Sequence, residues 1–145
     1  MLNSVDKCFG FVRNFGFKGP FMYDYAKNLY HVYVKETLVI SVVYDGKFWV
    51  DLIRLKKEFN GLESGEMKLH EIASRFLRYY DLSVLDPRQK IFSSVDFIDH
   101  DDKILWYYSS LLAKNPEILE GDFSKFRTES VFSRLFRRKK PNFAV

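Results

Sequence analysis

Residues 38–53 constrain the fold more than any other stretch of this chain. Two runs rich in β-branched and aromatic residues, Leu38-Val-Ile-Ser-Val-Val-Tyr44 and Lys47-Phe-Trp-Val-Asp-Leu-Ile53, flank the dipeptide Asp45-Gly46. Asp-Gly suits the two central positions of a type I′ turn, where both residues take positive φ, so an antiparallel hairpin is predicted. A two-residue turn sets Val43 opposite Phe48, Ser41 opposite Val50 and Val39 opposite Leu52. The other face then carries Ile40, Val42, Tyr44, Trp49, Asp51 and Ile53. Both faces are largely apolar, which predicts a sheet covered at least partly on both sides.

Other segments group around this hairpin. Val5, Cys8, Phe9, Val12 and Phe15 recur at helical spacing and predict a helix over residues 3–15, with Asn3 or Ser4 as cap and Gly16 past its end. Leu29-Tyr-His-Val-Tyr-Val34 reads as a further strand, and Met22–Tyr25 as a short edge strand. Beyond the loop Asn60–Gly65, the stripe Leu69, Ile72, Ala73, Phe76, Leu77 and Tyr80 predicts an amphipathic helix. Ile104, Leu105, Tyr108, Leu111 and Leu112 predict another. Asn115-Pro116 opens a short turn of helix that Gly121 can end, and Val131, Phe132, Leu135 and Phe136 predict a last helix from Thr128. The order is helix, three to four antiparallel strands, then three to four helices packing on the sheet. That is an α+β domain over residues 1–126, followed by a basic C-terminal helix and tail over 127–145.

A chain of 145 residues is long enough to bury a core without staples. Its single cysteine, Cys8, excludes an internal disulfide and any Cys-based zinc cluster, and its place on an apolar helical face predicts a small buried hydrophobe. The first residues show no cationic stretch followed by an apolar core, and the longest apolar run is too short to span a bilayer, so a cytoplasmic protein is expected. Net charge is +4, but its distribution matters more. Residues 127–145 hold six bases and one acid, which leaves −1 for the rest; residues 86–122 hold eight acids and four bases, a net of −4.

Few constellations carry chemistry. In Asp96-Phe-Ile-Asp-His-Asp-Asp102 the carboxylates and imidazole are metal-ligand types, yet the spacing lacks the glycine and closing glutamate of an EF-hand. An exposed loop in which Asp101 or Asp102 caps the next helix explains it without a metal. Asp96, Asp99, Asp101 and Asp102 are the candidate partner-binding residues, as an acidic recognition patch. Asp51 is the best isolated candidate for acid–base work, since a place among Ile40, Trp49 and Ile53 would raise its pKa, although pairing with Arg54 or Lys35 is the commoner arrangement. His31, His70 and His100 come from a strand, a helix and a loop, and His31 is expected as a packed or surface residue. Nucleophile-elbow and phosphate-loop motifs are absent. No catalytic residue, metal or cofactor is expected.

The segment Arg134-Leu-Phe-Arg-Arg-Lys-Lys140 ends the predicted last helix with a basic turn. Favourable interaction with the helix C-terminus accounts for it. Phosphate contacts through Arg134, Arg137, Arg138, Lys139 and Lys140 would make the chain a nucleic-acid-associated protein, the alternative function.

Several stretches taken together are similar to a group of small bacterial immunity-type proteins associated with polymorphic or contact-dependent toxins. They are Phe15-Gly-Phe-Lys18, Tyr30-His-Val-Tyr33, Val39–Asp45 with Trp49-Val-Asp-Leu52, Tyr107–Leu112, and Ile118-Leu-Glu-Gly-Asp-Phe123. The resemblance covers roughly residues 9–126. It implies a non-enzymatic protein that binds and blocks a cognate toxin without a cofactor. The overall basic charge departs from the acidic character common in members that act on nucleases, which speaks against a nuclease target. The function expected from sequence is thus binding of another protein, with no membrane contact.

Overall fold

A computed structural model describes residues 2–56, 76–94, 96, 97 and 99–126. Helix α1 (Leu2–Phe9) passes into a 3₁₀ segment (Gly10–Phe15), so the predicted helix over 3–15 exists but tightens after its second turn. It also begins ahead of the expected caps. Gly16 ends it in the left-handed region at φ 94° and donates its N–H to Arg13 at 3.1 Å, which only a residue without Cβ does cheaply.

Five antiparallel strands follow in sequence order: β1 (Lys18–Tyr25), β2 (Asn28–Lys35), β3 (Leu38–Tyr44), β4 (Phe48–Leu55) and β5 (Phe76–Tyr80). The fold is α+β with an antiparallel sheet, as expected, but among the described residues the sheet has five strands rather than three or four. Two corrections account for the difference. The short edge strand expected at Met22–Tyr25 runs the full length of β2, from Lys18. Residues 76–80, assigned to a helix by their spacing, are instead strand β5, where Tyr80 pairs with Leu52 and Tyr79 with Ile53. Period alone cannot separate the two states over five residues when a long open strand edge offers pairing. Leu69, Ile72 and Ala73 lie outside the described residues, as does the last helix expected from Thr128.

The central hairpin forms, with a register one residue away from the expected one. Tyr44 faces Phe48, Val43 faces Trp49 and Ser41 faces Asp51, so the connection is the three residues Asp45–Lys47. The backbone N–H of Asp45 closes it onto the carbonyl of Lys47 at 3.1 Å. One step of slip exchanges the faces of one strand against the other. Phe48, Val50 and Leu52 therefore join Ile40 and Val42, while Asp51 joins Val39, Ser41, Val43 and Ile53. The observed register sets the two polar residues Ser41 and Asp51 opposite each other and packs Tyr44 on Phe48 at 4.8 Å between ring centroids.

After β5 come a 3₁₀ turn (Leu82–Leu85), the single-turn helix α2 (Lys90–Ser93), the long helix α3 (His100–Lys114), the short helix α4 (Pro116–Leu119) and a 3₁₀ turn (Ser124–Phe126). They pack on the face where α1 also lies. The larger core there joins Val5, Phe9 and Val12 to Ile40, Val42 and Leu52, and to Leu105, Leu111 and Ile118. Tyr107 is buried on α3, whereas Ile104 and Tyr108 of the predicted stripe are half-buried. Tyr80 stacks on Phe123 at 4.6 Å and 10°, joining β5 to the end of the described chain. On the opposite sheet face Tyr30, Val32, Val39, Val43 and Ile53 are fully buried too, in line with an apolar sheet covered on both sides.

At Gly19 the backbone of β1 runs close against β2. The φ of Gly19 is +122°, and a Cβ there would meet the carbonyl oxygen of Val32 at 2.5 Å. The strand register shifts at this point, between Lys18 and Phe21. Among the described residues no helix is long and apolar enough to cross a membrane.

Candidate functional site

Helices α1 and α3 lie side by side, and each spends only one face on the core. On α1 the buried face is Val5 and Phe9. The next face round presents Ser4, Lys7 and Cys8, and Phe11 extends it into the 3₁₀ segment. On α3 the positions Asp102, Trp106, Ser109, Ser110 and Ala113 follow one another at helical spacing on the matching face. Between them runs a groove of about 610 Å³, and Phe97 from the segment before α3 forms part of its wall.

The groove is aromatic inside and charged at its margin. Phe97 and Trp106 lie 6.0 Å apart between centroids, tilted at 46°. Phe97 remains 36% exposed, an open position for a large apolar side chain. Lys7 and Asp102, both exposed, contribute one charge of each sign. Cys8 is half-buried, and its thiol is pushed up from its ordinary pKa first by burial and next by the nearby Asp102 carboxylate, against the smaller opposing pull of Lys7. It is therefore held as the neutral thiol, without the depressed pKa of a nucleophile.

Of the four acidic residues expected to form a recognition patch, Asp102 lies in the groove wall. Asp96 is exposed next to Phe97 in sequence, and Asp99 is exposed at the start of α3. The expected helix cap falls on Asp99, not on Asp101 or Asp102. Asp99 holds an extended backbone (φ −98°, ψ 124°), and its carboxylate accepts the N–H of Asp101 at 2.9 Å. Asp101 and Asp102 sit inside the first turn, where the helix dipole favours negative charge. Arg134, Arg137, Arg138, Lys139 and Lys140 lie outside the described residues.

The two residues singled out for chemistry occupy the sheet. Asp51 is 1% exposed and lies among Val39, Val43, Trp49 and Ile53, not beside Ile40 as the expected register required. Its carboxylate is hydrogen-bonded by Tyr79, whose phenol is pushed up by burial and then by Asp51. Arg54 and Lys35, the pairing partners expected from sequence, are engaged elsewhere. Arg54 lies over the Phe123 ring, and Lys35 donates to the carbonyl of Leu119 at 3.0 Å. His31 is buried on the helix-covered face, with Nδ1 3.2 Å from the carbonyl of Val42. Burial lowers its pKa more than that backbone contact raises it. Among the described residues no group of three or more His, Cys, Asp or Glu side chains could hold a metal ion.

A second polar cluster braces α1 against the sheet. The Arg13 guanidinium binds Asp6 through both nitrogens, at 2.5 and 3.0 Å, and reaches the carbonyl of Gly19 at 3.1 Å. Tyr33 of β2 donates its hydroxyl to Asp6 at 3.0 Å. Arg13 beside it, and to a lesser degree Tyr33, hold the Asp6 carboxyl below its ordinary range against partial burial. Every member is satisfied by another, which marks the cluster as a brace.

Sequence reasoning passed over Lys7, Phe11, Phe97 and Trp106. Phe11 and Trp106 did leave a signal, since each is a large aromatic set off the apolar stripe of its own helix. No family model matches this chain, and the searches of curated proteins and of solved structures returned no similar protein.

Proposed function

We propose that this chain is a non-enzymatic protein-binding module of the cytoplasm, which blocks or recruits another protein in the manner of an immunity protein acting on a toxin. Its contact surface is the α1–α3 groove with the acidic side chains Asp96, Asp99, Asp101 and Asp102 around the start of α3. The observation that supports this is the exposed Phe97 beside the half-buried Trp106 in a groove of about 610 Å³ with charge at its edge. Interfaces concentrate their energy in a few aromatic anchors surrounded by polar residues, and an apolar cleft with polar margins suits a protein segment. The sheet supplies the base for it, and two of the chain's carboxylates have structural partners: the buried Asp51 is held by Tyr79, and the partly exposed Asp6 by Arg13 and Tyr33.

Co-expression with the product of the neighbouring gene tests the proposal. A one-to-one complex is expected from the full chain, and loss of that complex from Phe97→Ser. Burying one exposed Phe contributes roughly 1.5–3 kcal/mol, enough to weaken binding by about one to two orders of magnitude. Failure to form any stoichiometric complex would remove the basis of the proposal. An intact complex with Phe97→Ser and with Trp106→Ala would move the contact surface elsewhere.

A further inference from the structure

The geometry points to a cationic amphipathic segment of the partner protein as the occupant of the α1–α3 groove, one that presents large apolar side chains flanked by Lys or Arg. This rests on the protein-binding reading above and names the chemistry of what binds.

Three observations carry it. The first is length: from Asp102 to Ala113 the groove follows α3 for about 16 Å at 1.5 Å per residue, the span of a three-turn helix or a short extended segment. The second is the lining. Phe11, Phe97 and Trp106 make its lining largely aromatic, and Ser4 and Ser110 bring hydroxyls that can meet polar groups of the occupant.

The third is charge. Asp102 stands in the wall, with Asp96 and Asp99 exposed on the segment that leads into α3. Among the described residues that line it the basic side chain is Lys7, and at Cys8 the Asp102 carboxylate outweighs it. Lys103, next along α3, is turned away over the Phe92 ring at 4.2 Å. The N-terminus of α3 is no open anion site, because the Asp99 carboxylate already accepts the N–H of Asp101 there. An anionic occupant would meet carboxylates and a filled helix end. A cationic one finds Asp102 in the wall of an apolar slot, one turn along α3 from the exposed Asp99, and Asp96 exposed beside Phe97 in sequence.

Cys8 makes the test direct, since it is the sole cysteine of the chain and lines the groove. The full chain is alkylated with a maleimide, and the rate at Cys8 is followed by mass spectrometry alone and with three synthetic amphipathic 15-mers. One carries Leu and Phe anchors with Lys and Arg flanks, the second the same anchors with Glu flanks, and the third the cationic flanks with Ala for every anchor. The first peptide is expected to slow modification of Cys8 at least tenfold and the other two to have little effect. Asp99→Asn together with Asp102→Asn should weaken the protection roughly 3- to 10-fold, as two exposed ion pairs contribute. Asn keeps the helix cap, so loss of folding would not explain that change.

Equal protection by the Glu-flanked peptide would overturn the cationic assignment while leaving the protein-binding proposal intact. No protection by any peptide would overturn it as well, and co-expression would then decide the protein-binding proposal independently. Faster modification of Cys8 in the full chain after Arg134, Arg137 and Arg138 are changed to Glu would show that the chain's own basic segment is the occupant, and would equally overturn a partner-derived one.

Discussion

Tyr107, buried on α3, donates its hydroxyl to the Asp86 carboxylate at 3.0 Å, and that carboxylate also accepts the N–H groups of Ile91 and Phe92 at 3.2 and 3.1 Å. Asp86 thus ties α3 to α2. Burial pushes its carboxyl up, but the two backbone donors and the Tyr107 hydroxyl outweigh burial and hold it below its ordinary value of 3.8. A depressed acid stabilises the fold above the unfolded pKa, and that stability is lost as pH falls through the lower folded value. Tyr107→Phe removes one donor to a buried carboxylate, at a cost of about 1.5–3 kcal/mol. It should also bring the onset of acid unfolding to higher pH. Urea titrations at neutral pH and a pH melt read the two effects separately.

The hairpin joining β1 to β2 turns through Ala26 and Lys27, both left-handed at φ 53° and 67°. A type I′ turn requires this of its central residues, and neither Ala nor Lys adopts it readily. Replacing the pair by Asn-Gly should stabilise the protein by roughly 1 kcal/mol, since Gly avoids the Cβ clash and Asn tolerates the conformation. An unchanged urea midpoint would show that the turn is not strained.

His31 is buried and its imidazole resists protonation, with burial the dominant cause. The unfolded chain takes up the proton near the ordinary value of 6.5, whereas the folded chain does so only at lower pH. Stability should therefore fall as pH drops below about 6.5, at up to about 1.4 kcal/mol per pH unit, and level off once the folded imidazole titrates. His31→Leu should flatten the profile between pH 6.5 and 5. A wild-type profile already flat over that interval would refute the assignment.

Asp99 caps α3, and substitution can separate that cap from its proposed place in the contact surface. Asp99→Ala should cost about 1 kcal/mol through the lost cap of α3, while Asp99→Asn should change stability by no more than a few tenths. Equal urea midpoints for the two variants would mean that the cap contributes nothing.

How much could be read from sequence follows from where the signals are local. Strands β2 to β4 were legible because they are rich in β-branched and aromatic residues and Asp45-Gly46 marks a reversal. The dipeptide gave the reversal but not the loop length. Whether Lys47 belongs to the turn is decided by which register pairs Ser41 with Asp51 and Tyr44 with Phe48, a tertiary matter. Strand β1 was half hidden because its turn is built from Ala26 and Lys27, which carry no turn signature. Strand β5 was misread because pairing with β4 overrides the weak helical spacing of Phe76 and Tyr80. At the candidate site Asp102 could be named from sequence because acidic clusters stand out. The aromatic half of the groove could not, because which side of α1 and α3 stays open depends on how the two helices pack.

The nearest-neighbour order of the sheet has a kinetic consequence. Strands β1 to β4 are joined through Ala26-Lys27, Glu36-Thr37 and Asp45–Lys47, so three of the four pairings need almost no loop closure. The entropic cost of bringing distant residues together falls on one pairing, β4 with β5, whose partners stand on either side of residues 56–75. That cost grows only with the logarithm of loop length. Doubling this connection with Gly and Ser should thus slow refolding only about 3-fold, measured by stopped flow, whereas a comparable insertion at Glu36-Thr37 would turn a nearly free pairing into a second costly one.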